Sequence, residues 1–402
     1  MLVLAVVACG GGKQAAGPAA AAKGLPPANP VAVQRMVEGV TAAKDPRMQT
    51  RAIALLREAI AIDPNLWEAR FDLGVVLANG GDLARAEQEL AAAAKIAPER
   101  EEVAVALAEV RRRRGSQKEA AAALEAFVKE HPTALEARTL LVAALRDSGQ
   151  HDKAIAEARN VLARKPGDAT ALAELALCHL GKGERETANL LVRQSLDVNA
   201  ASPPSPARVL SYAVAHRAQG LVALAEGDDA SAFKAFSLAA QEDPKDTTSR
   251  LNMGAVLLRA GSYAKAAEQF KSALAASPEE TAAQLGLAAA LRGESNGKDQ
   301  KLLEEARTLL AQVLEREPHN VAALFNMGIL LADSLKRPAD AKPFFDRFLD
   351  DAPKDHPARP EAEKQLGNRS AAAPPVAPAP PAPPAPSTPT KPAPTPKQGV
   401  KK

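Results

Sequence analysis

Two cysteines in 402 residues, Cys9 and Cys178, are too few for a disulfide framework or a four-cysteine zinc site. A charge excess is missing too. With 51 Lys and Arg against 48 Asp and Glu the net charge is +3, whereas a dedicated nucleic-acid binder is normally basic throughout. Aromatic residues amount to 3% of the chain. The apolar run that opens it, Leu2–Ala8, is seven residues long and too short to span a bilayer. What is present is a 46% hydrophobic composition, typical of folded proteins, which excludes wholesale disorder. The length suits two or three ordinary domains or one elongated repeat array. Charge is unevenly spread: residues 371–402 carry four Lys and no acid, so the remainder is a nearly neutral body with a basic tail.

Both ends are legible. Leu2–Ala8 has the length of a short signal-peptide core and ends in small residues. Val6-Val7-Ala8-Cys9 resembles the bacterial lipobox, in which cleavage before Cys leaves its thiol to carry diacylglycerol. That resemblance implies a signal peptide over 1–8, acylation of Cys9, and a membrane anchor worth about 0.8 kcal/mol per buried CH2. No Lys or Arg precedes the run, and the alternative is a frayed apolar N-terminus. Residues 9–32, mostly Gly, Ala, Pro and Lys, read as a tether. At the other end, 371–402 holds 12 Pro, mostly alternating with Ala. Proline fixes φ and removes donors, so the stretch is expected to be a disordered spacer sampling polyproline II.

Between the ends one unit recurs. Pro64, Pro98, Pro132 and Pro166 are 34 residues apart, as are Gly81, Gly115, Gly149 and Gly183, and Ala86, Ala120, Ala154 and Ala188. The phase shifts by ten across a Pro-rich insertion and resumes at Gly227 and Gly261, Ala232 and Ala266, Pro244 and Pro278. Apolar residues at helical spacing flank each Gly, so each unit is two short helices. The Gly ends the first helix in a turn that often needs φ > 0. The Pro stops the second helix. The Ala is small because the paired helices cross there, against a small residue twelve positions earlier such as Gly74, Gly220 or Gly254.

This pattern resembles the tetratricopeptide repeat, best over 247–280, where Asn252, Gly254, Gly261, Tyr263, Ala266, Phe270, Ala273 and Pro278 fall on the motif. The resemblance covers about four-fifths of the chain and implies an all-α, right-handed superhelical solenoid of about nine helix-turn-helix units. Units one to five occupy 33–202, an insertion 203–212, units six to nine 213–355, and a capping segment 356–370 with a short polar helix over 359–367. The first unit has Val40 where a small residue belongs. The eighth gains six residues around Gly293–Gln300, and the ninth is one residue too long.

No catalytic residue, metal site, cofactor or small-molecule substrate is expected. Gly293–Lys298 is one residue short of a phosphate loop and follows a helix. The six His show no HExxH spacing and read as structural, and Cys178, on a first helix, reads as an inert buried thiol. Arg111–Arg114 closes a first helix, where positive charge complements the helix dipole; without interleaved aromatics it argues for no nucleic-acid partner.

In the family, first helices line a concave groove through positions 2, 5, 9 and 12 of each unit. Units 101–134 and 135–168 place Glu102, Glu109, Arg112, Glu136, Thr139 and Arg146 there, a polar zone. From 169 onward the stripe is apolar: Leu177, Leu180, Val214, Leu221 and Leu224, then Leu251, Leu258, Leu285, Phe325 and Ile329. Such a strip marks a groove for a protein or peptide partner, unless tight coiling or the insertion covers it. Positions 5 and 9 of 247–280 are Leu251 and Ala255, so the family's carboxylate clamp is not expected. The chain resembles bacterial outer-membrane repeat lipoproteins. The resemblance implies a non-enzymatic scaffold for an envelope complex, anchored on the periplasmic face; Gly10 after Cys9 fits outer-membrane sorting. The alternative is a soluble cytosolic adaptor or co-chaperone.

Overall fold

The computed structural model describes residues 27–367 apart from Lys245. The expected signal peptide over 1–8, Cys9, most of the expected tether and the Pro-rich stretch 371–402 lie outside the described residues. Nineteen α-helices follow one another, with no strand among the described residues. They pair in sequence order as antiparallel hairpins, stacked into an all-α superhelical solenoid. No described helix is long and apolar enough to cross a membrane.

The pair α3 (Trp67–Asn79) and α4 (Leu83–Ile96) shows why the unit forms. Asp82 caps α4 by accepting from the Arg85 N–H at 3.1 Å. The turn before it is closed by Gly81, whose φ of 89° is left-handed; the five later glycines of that phase, from Gly115 to Gly261, have φ between 70° and 82°. The helices cross at Gly74 and Ala86. A Cβ on Gly74 would lie 2.6 Å from Leu90 and 3.2 Å from the Ala86 carbonyl oxygen. Fully buried Leu73 and Leu90 fill the space between, each contributing about 2 kcal/mol.

Between units a second joint recurs. The side chain at position 4 of a first helix reaches back to the boundary proline's carbonyl: Arg70 to Pro64 at 3.2 Å, Arg250 to Pro244 at 2.9 Å, Gln284 to Pro278 at 3.5 Å. Arg70 also pairs with Glu89, and Arg138 with Glu157, each 19 residues on and in the unit's own second helix. The sequence reading missed these staples.

The departures from the repeat resolve locally. In the first unit α1 (Pro30–Ala42) begins before 33, shortening the expected tether. Gly39, not Val40, stands at its crossing: a Cβ there would lie 2.8 Å from Leu56. The longer turn to α2 (Gln49–Ile62) contains a 3-10 turn, Pro46–Met48, that takes up the offset. The expected insertion at 203–212 is mostly helix, because α10 (Arg185–Ala201) and α11 (Pro206–Glu226) are extended to meet near Ser205, which caps α11. In the eighth unit the extra residues lengthen α15 (Thr281–Ser295) and α16 (Gln300–Arg316), leaving a turn with Asn296 and Gly297 at positive φ. In the ninth, the surplus residue becomes a π-helical turn, Leu330–Ser334, after α17 (Val321–Ile329). The expected polar cap is α19 (Arg359–Gly367), tied to the preceding α18 (Pro338–Asp351) by Arg359 donating to the Leu349 and Ala352 carbonyls at 2.8 and 2.9 Å.

The solenoid returns on itself. Gly81, in the second unit, faces Pro278 at the end of the seventh, where a glycine Cβ would be 3.8 Å from the proline ring. Arg113, which donates to the Ala78 carbonyl at 3.1 Å, feels the carboxylate of Glu280 across the same gap. The turn-side rim of the early units thus meets the boundary-side rim of the later ones.

Candidate partner-binding groove

First helices touch the first helices of neighbouring units: α5 (Glu101–Arg113) meets α7 (Leu135–Asp147), α7 meets α9 (Ala169–Gly181), and α13 (Thr247–Arg259) meets α15. No comparable contact links successive second helices. The more closely spaced row lies inside the bend, so first helices form the concave wall.

In the early units this wall is polar and cross-linked. Arg112 donates to Glu109 and to Asp147 of the next unit, both at 2.6 Å; Arg146 pairs with Asp147 at 2.9 Å and with Glu174 of the following unit at 3.0 Å. Burial pulls both guanidinium pKa values down. The carboxylates outweigh it, Glu109 and Asp147 for Arg112 and Glu174 and Asp147 for Arg146, so both remain charged. Arg111 and Arg114 converge on Glu87. The basic run therefore closes its helix as expected, with Arg111, Arg112 and Arg114 paired to carboxylates and Arg113 donating to the Ala78 carbonyl.

A second polar feature lies at the N-terminal ends of the same helices. Glu68 and Asp72 of α3, Glu102 of α5 and Glu136 of α7 form a row of carboxylates, none in an ion pair among the described residues. Burial pushes Asp72 up to about 7, with Glu68 adding to it; burial also raises Glu136, helped by Glu101 and Glu102. Glu68 is raised by burial although Arg100 opposes the shift; Arg100 itself lies over the Trp67 ring at 5.0 Å and pairs with Glu99. Half-buried Phe71 and Val105 sit among these acids.

From α9 onward the wall is apolar. Leu177 and Ile329 are 5% and 8% exposed and belong to the core. The other eight strip residues are half-buried. Leu251, Leu258, Leu285 and Phe325 rest on the core cluster of the last units, and Leu180, Val214, Leu221 and Leu224 on those before it. The strip is thus a shallow surface seated on the core, less open to water than a free-standing stripe. The 203–212 insertion does not form a loop over it.

The remaining candidates are structural. Cys178 is buried, its thiol pushed up to about 12 by burial and then by Glu174. His131 packs on Phe127 at 4.5 Å, His319 bonds Asp351 at 3.0 Å, and His151 fills the space beside Gly181. Among the described residues no three His, Cys, Asp or Glu cluster as a metal site. A shallow hollow of about 610 Å³ opens between Ser262–Lys265 and the Gly293–Asn296 turn, on the rim and away from the strip.

Two family profiles, both described as tetratricopeptide repeat, match the chain, one over residues 50–110 and the other over 105–169, 139–206, 251–297 and 298–356. The chain belongs to the tetratricopeptide repeat family. The profiles pass over residues 207–250, where α11 is elongated and the repeat least regular. No curated protein matches in sequence. Among solved structures, the repeat fold is similar to that of a tetratricopeptide repeat protein from Parabacteroides merdae, at 16% identity, covering 66% of this chain and 98% of that one, with a TM-score of 0.41. It is also similar to a chain of the APC/C hetero-tetramer Cut9–Hcn1 (16% identity, 75% and 55% covered, TM-score 0.46). A third is YrrB, described as having an unusual peptide-binding site (20% identity, 42% and 87% covered, TM-score 0.36). No enzyme family is among the profile matches, and repeats of this family serve as protein-interaction scaffolds.

Proposed function

We propose that this tetratricopeptide repeat protein is a non-enzymatic scaffold, lipid-anchored on the periplasmic face of a bacterial outer membrane, which holds a protein or peptide segment in its groove while an envelope complex assembles. Pilus, secretion, motility and outer-membrane biogenesis machines all fit this role. The observation that carries the binding part is the half-buried strip from Leu180 to Phe325, a run of apolar side chains on the concave wall that keep part of their surface exposed among the described residues. The anchor rests on sequence: Leu2–Ala8, the small residues before Cys9, and Gly10 after it.

Two measurements test the two parts. Alkynyl fatty acid should label the wild-type chain in cells and leave Cys9→Ser unlabelled and soluble. Equal labelling of both, or a wild type that fractionates with the cytosol, favours the soluble adaptor. For the groove, Leu258→Glu should lose the proteins that co-purify from detergent-solubilised envelope while circular dichroism stays helical. Retained partners at full strength would remove the strip from the binding site.

A further inference from the structure

One charge interrupts the apolar half of the groove. Arg292 stands at position 12 of the eighth unit, on the face of α15 that also carries Leu285 and Ala289. From residue 169 onward the other residues at that position are Leu180, Leu224, Leu258 and Ala332. Arg292 is half-buried, and its side chain makes no hydrogen bond or ion pair among the described residues. The other described arginines without such a partner, Arg51, Arg57, Arg159, Arg185 and Arg193, are all exposed. Water serves them; it serves Arg292 only in part.

The early units show what this arginine lacks. There, position 12 is met by two carboxylates of the next unit. Asp147, at position 13, takes Arg112 at 2.6 Å, and Glu174, at position 6, takes Arg146 at 3.0 Å. In the ninth unit the same two places hold Asp333 and Asn326. Asp333 lies in the π-helical turn, is exposed, and accepts from Gln365 of α19 at 3.2 Å. Asn326 is half-buried beside Arg292, but an amide carries no charge to match a guanidinium. The two share a recess of about 10 Å³ walled by buried Ala288, Leu310 and Leu330. That recess is too small for a side chain, so an anion would meet Arg292 at its mouth, on the concave side.

A half-buried guanidinium without a partner has given up hydration for nothing, whereas a carboxylate offers it two parallel charge-assisted hydrogen bonds. With the strip on either side, that carboxylate must arrive on a segment that is otherwise apolar. We propose that Arg292 is the charged anchor of the apolar groove. It takes the carboxylate of an Asp or Glu side chain in a partner segment whose large apolar residues lie on Leu258, Leu285 and Phe325. The Asn326 amide donates to the same carboxylate. This assignment rests on the groove reading and adds to it the charge of the occupant.

The probe is an array of short peptides, acetylated and amidated at their ends, with varied apolar flanks and Glu, Gln or Lys at the centre. The full chain should bind Glu-centred peptides about tenfold more tightly than their Gln-centred twins. Arg292→Gln should level the two, and Arg292→Glu should turn the preference to Lys. Arg292→Gln should also melt with the wild type, because no contact within the protein is lost. Leu258→Glu should weaken binding of all three sets. If Leu258→Glu changes nothing, the groove reading fails and the anchor with it. If Leu258→Glu abolishes binding while the wild type treats Glu and Gln alike, the groove stands and the anchor is overturned. The anchor falls equally if no Glu-centred peptide binds or if Arg292→Gln lowers the melting temperature by several degrees. Tighter binding of Gln-centred peptides with a free C-terminal carboxylate would also overturn it, by assigning Arg292 to a chain end.

Discussion

Units 67–168 and units 169–355 are built on the same helix pair, yet the first set lines its inner wall with carboxylates and arginines and the second with leucines. At position 12, Arg112 and Arg146 reach across to Asp147 and Glu174 and tie successive first helices together. In the later units Leu224, Leu258 and Phe325, which are stripe residues too, settle on the core and form no ion pairs between units. The positions that decide the fold, such as Gly74 with Ala86 and Gly254 with Ala266, are the same in both sets. Wall polarity is therefore free to vary. One half has used that freedom for fixed inter-unit geometry, the other for an adaptable apolar surface.

The helix crossings common to both sets carry the largest expected effect. Ala266→Glu places a charge at a fully buried crossing beside Phe270, combining overpacking with an unpaired carboxylate; about 5 kcal/mol should be lost and the surrounding unit should melt. A normal melting curve would show that the crossings do not set the fold. Next in size, Arg146→Ala leaves Glu174, 5% exposed, without its guanidinium, at about 3 kcal/mol. A loss below about 0.5 kcal/mol in denaturant titration would mean that the polar wall is decoration.

Asp72, on the polar wall, makes stability depend on pH. Its folded pKa, about 7, lies above the unfolded value, so the native state holds the proton more tightly and stability falls as pH rises from about 4 towards 7. Asp72→Asn removes that fall: it should gain on the order of 2 kcal/mol at pH 8 and almost nothing at pH 4. A gain independent of pH would assign the effect to packing. Smallest is Leu258→Ala on the apolar wall, which should cost about 1 kcal/mol because the side chain is only half-buried. A loss of 3 kcal/mol or more would make the strip core.

The 34-residue phase of Gly, Ala and Pro was readable because each residue answers one local demand: a left-handed turn, a close crossing, a helix stop. The groove stripe was readable for the same reason, as a periodicity on one helix face. What stayed hidden depends on how the backbone absorbs mismatch. Sequence spacing put Val40 at the first crossing, but the longer turn at Pro46–Met48 shifts the register so that Gly39 arrives there. It marked 203–212 and Gly293–Gln300 as insertions without saying that helices would lengthen to include them. A π-turn at Leu330–Ser334 likewise has no compositional signature. Nor could spacing distinguish strip residues that close over, Leu177 and Ile329, from those that stay half open, since that depends on how closely neighbouring units bend together. The stapling residues Arg70, Arg250 and Gln284 were visible in the sequence, but their targets are carbonyls, which all residues share.

The meeting of Gly81 with Pro278 has a mechanical meaning. In a stacked array each unit sees only its neighbours, and the ends fray independently. A contact between residues nearly two hundred positions apart closes a loop, and its formation must wait until the intervening units are in place. It should be the last feature acquired on folding and the first released when the ends are drawn apart. Under tension the molecule would thus lengthen as an unlatched coil, by increasing its pitch, before any helix pair came undone.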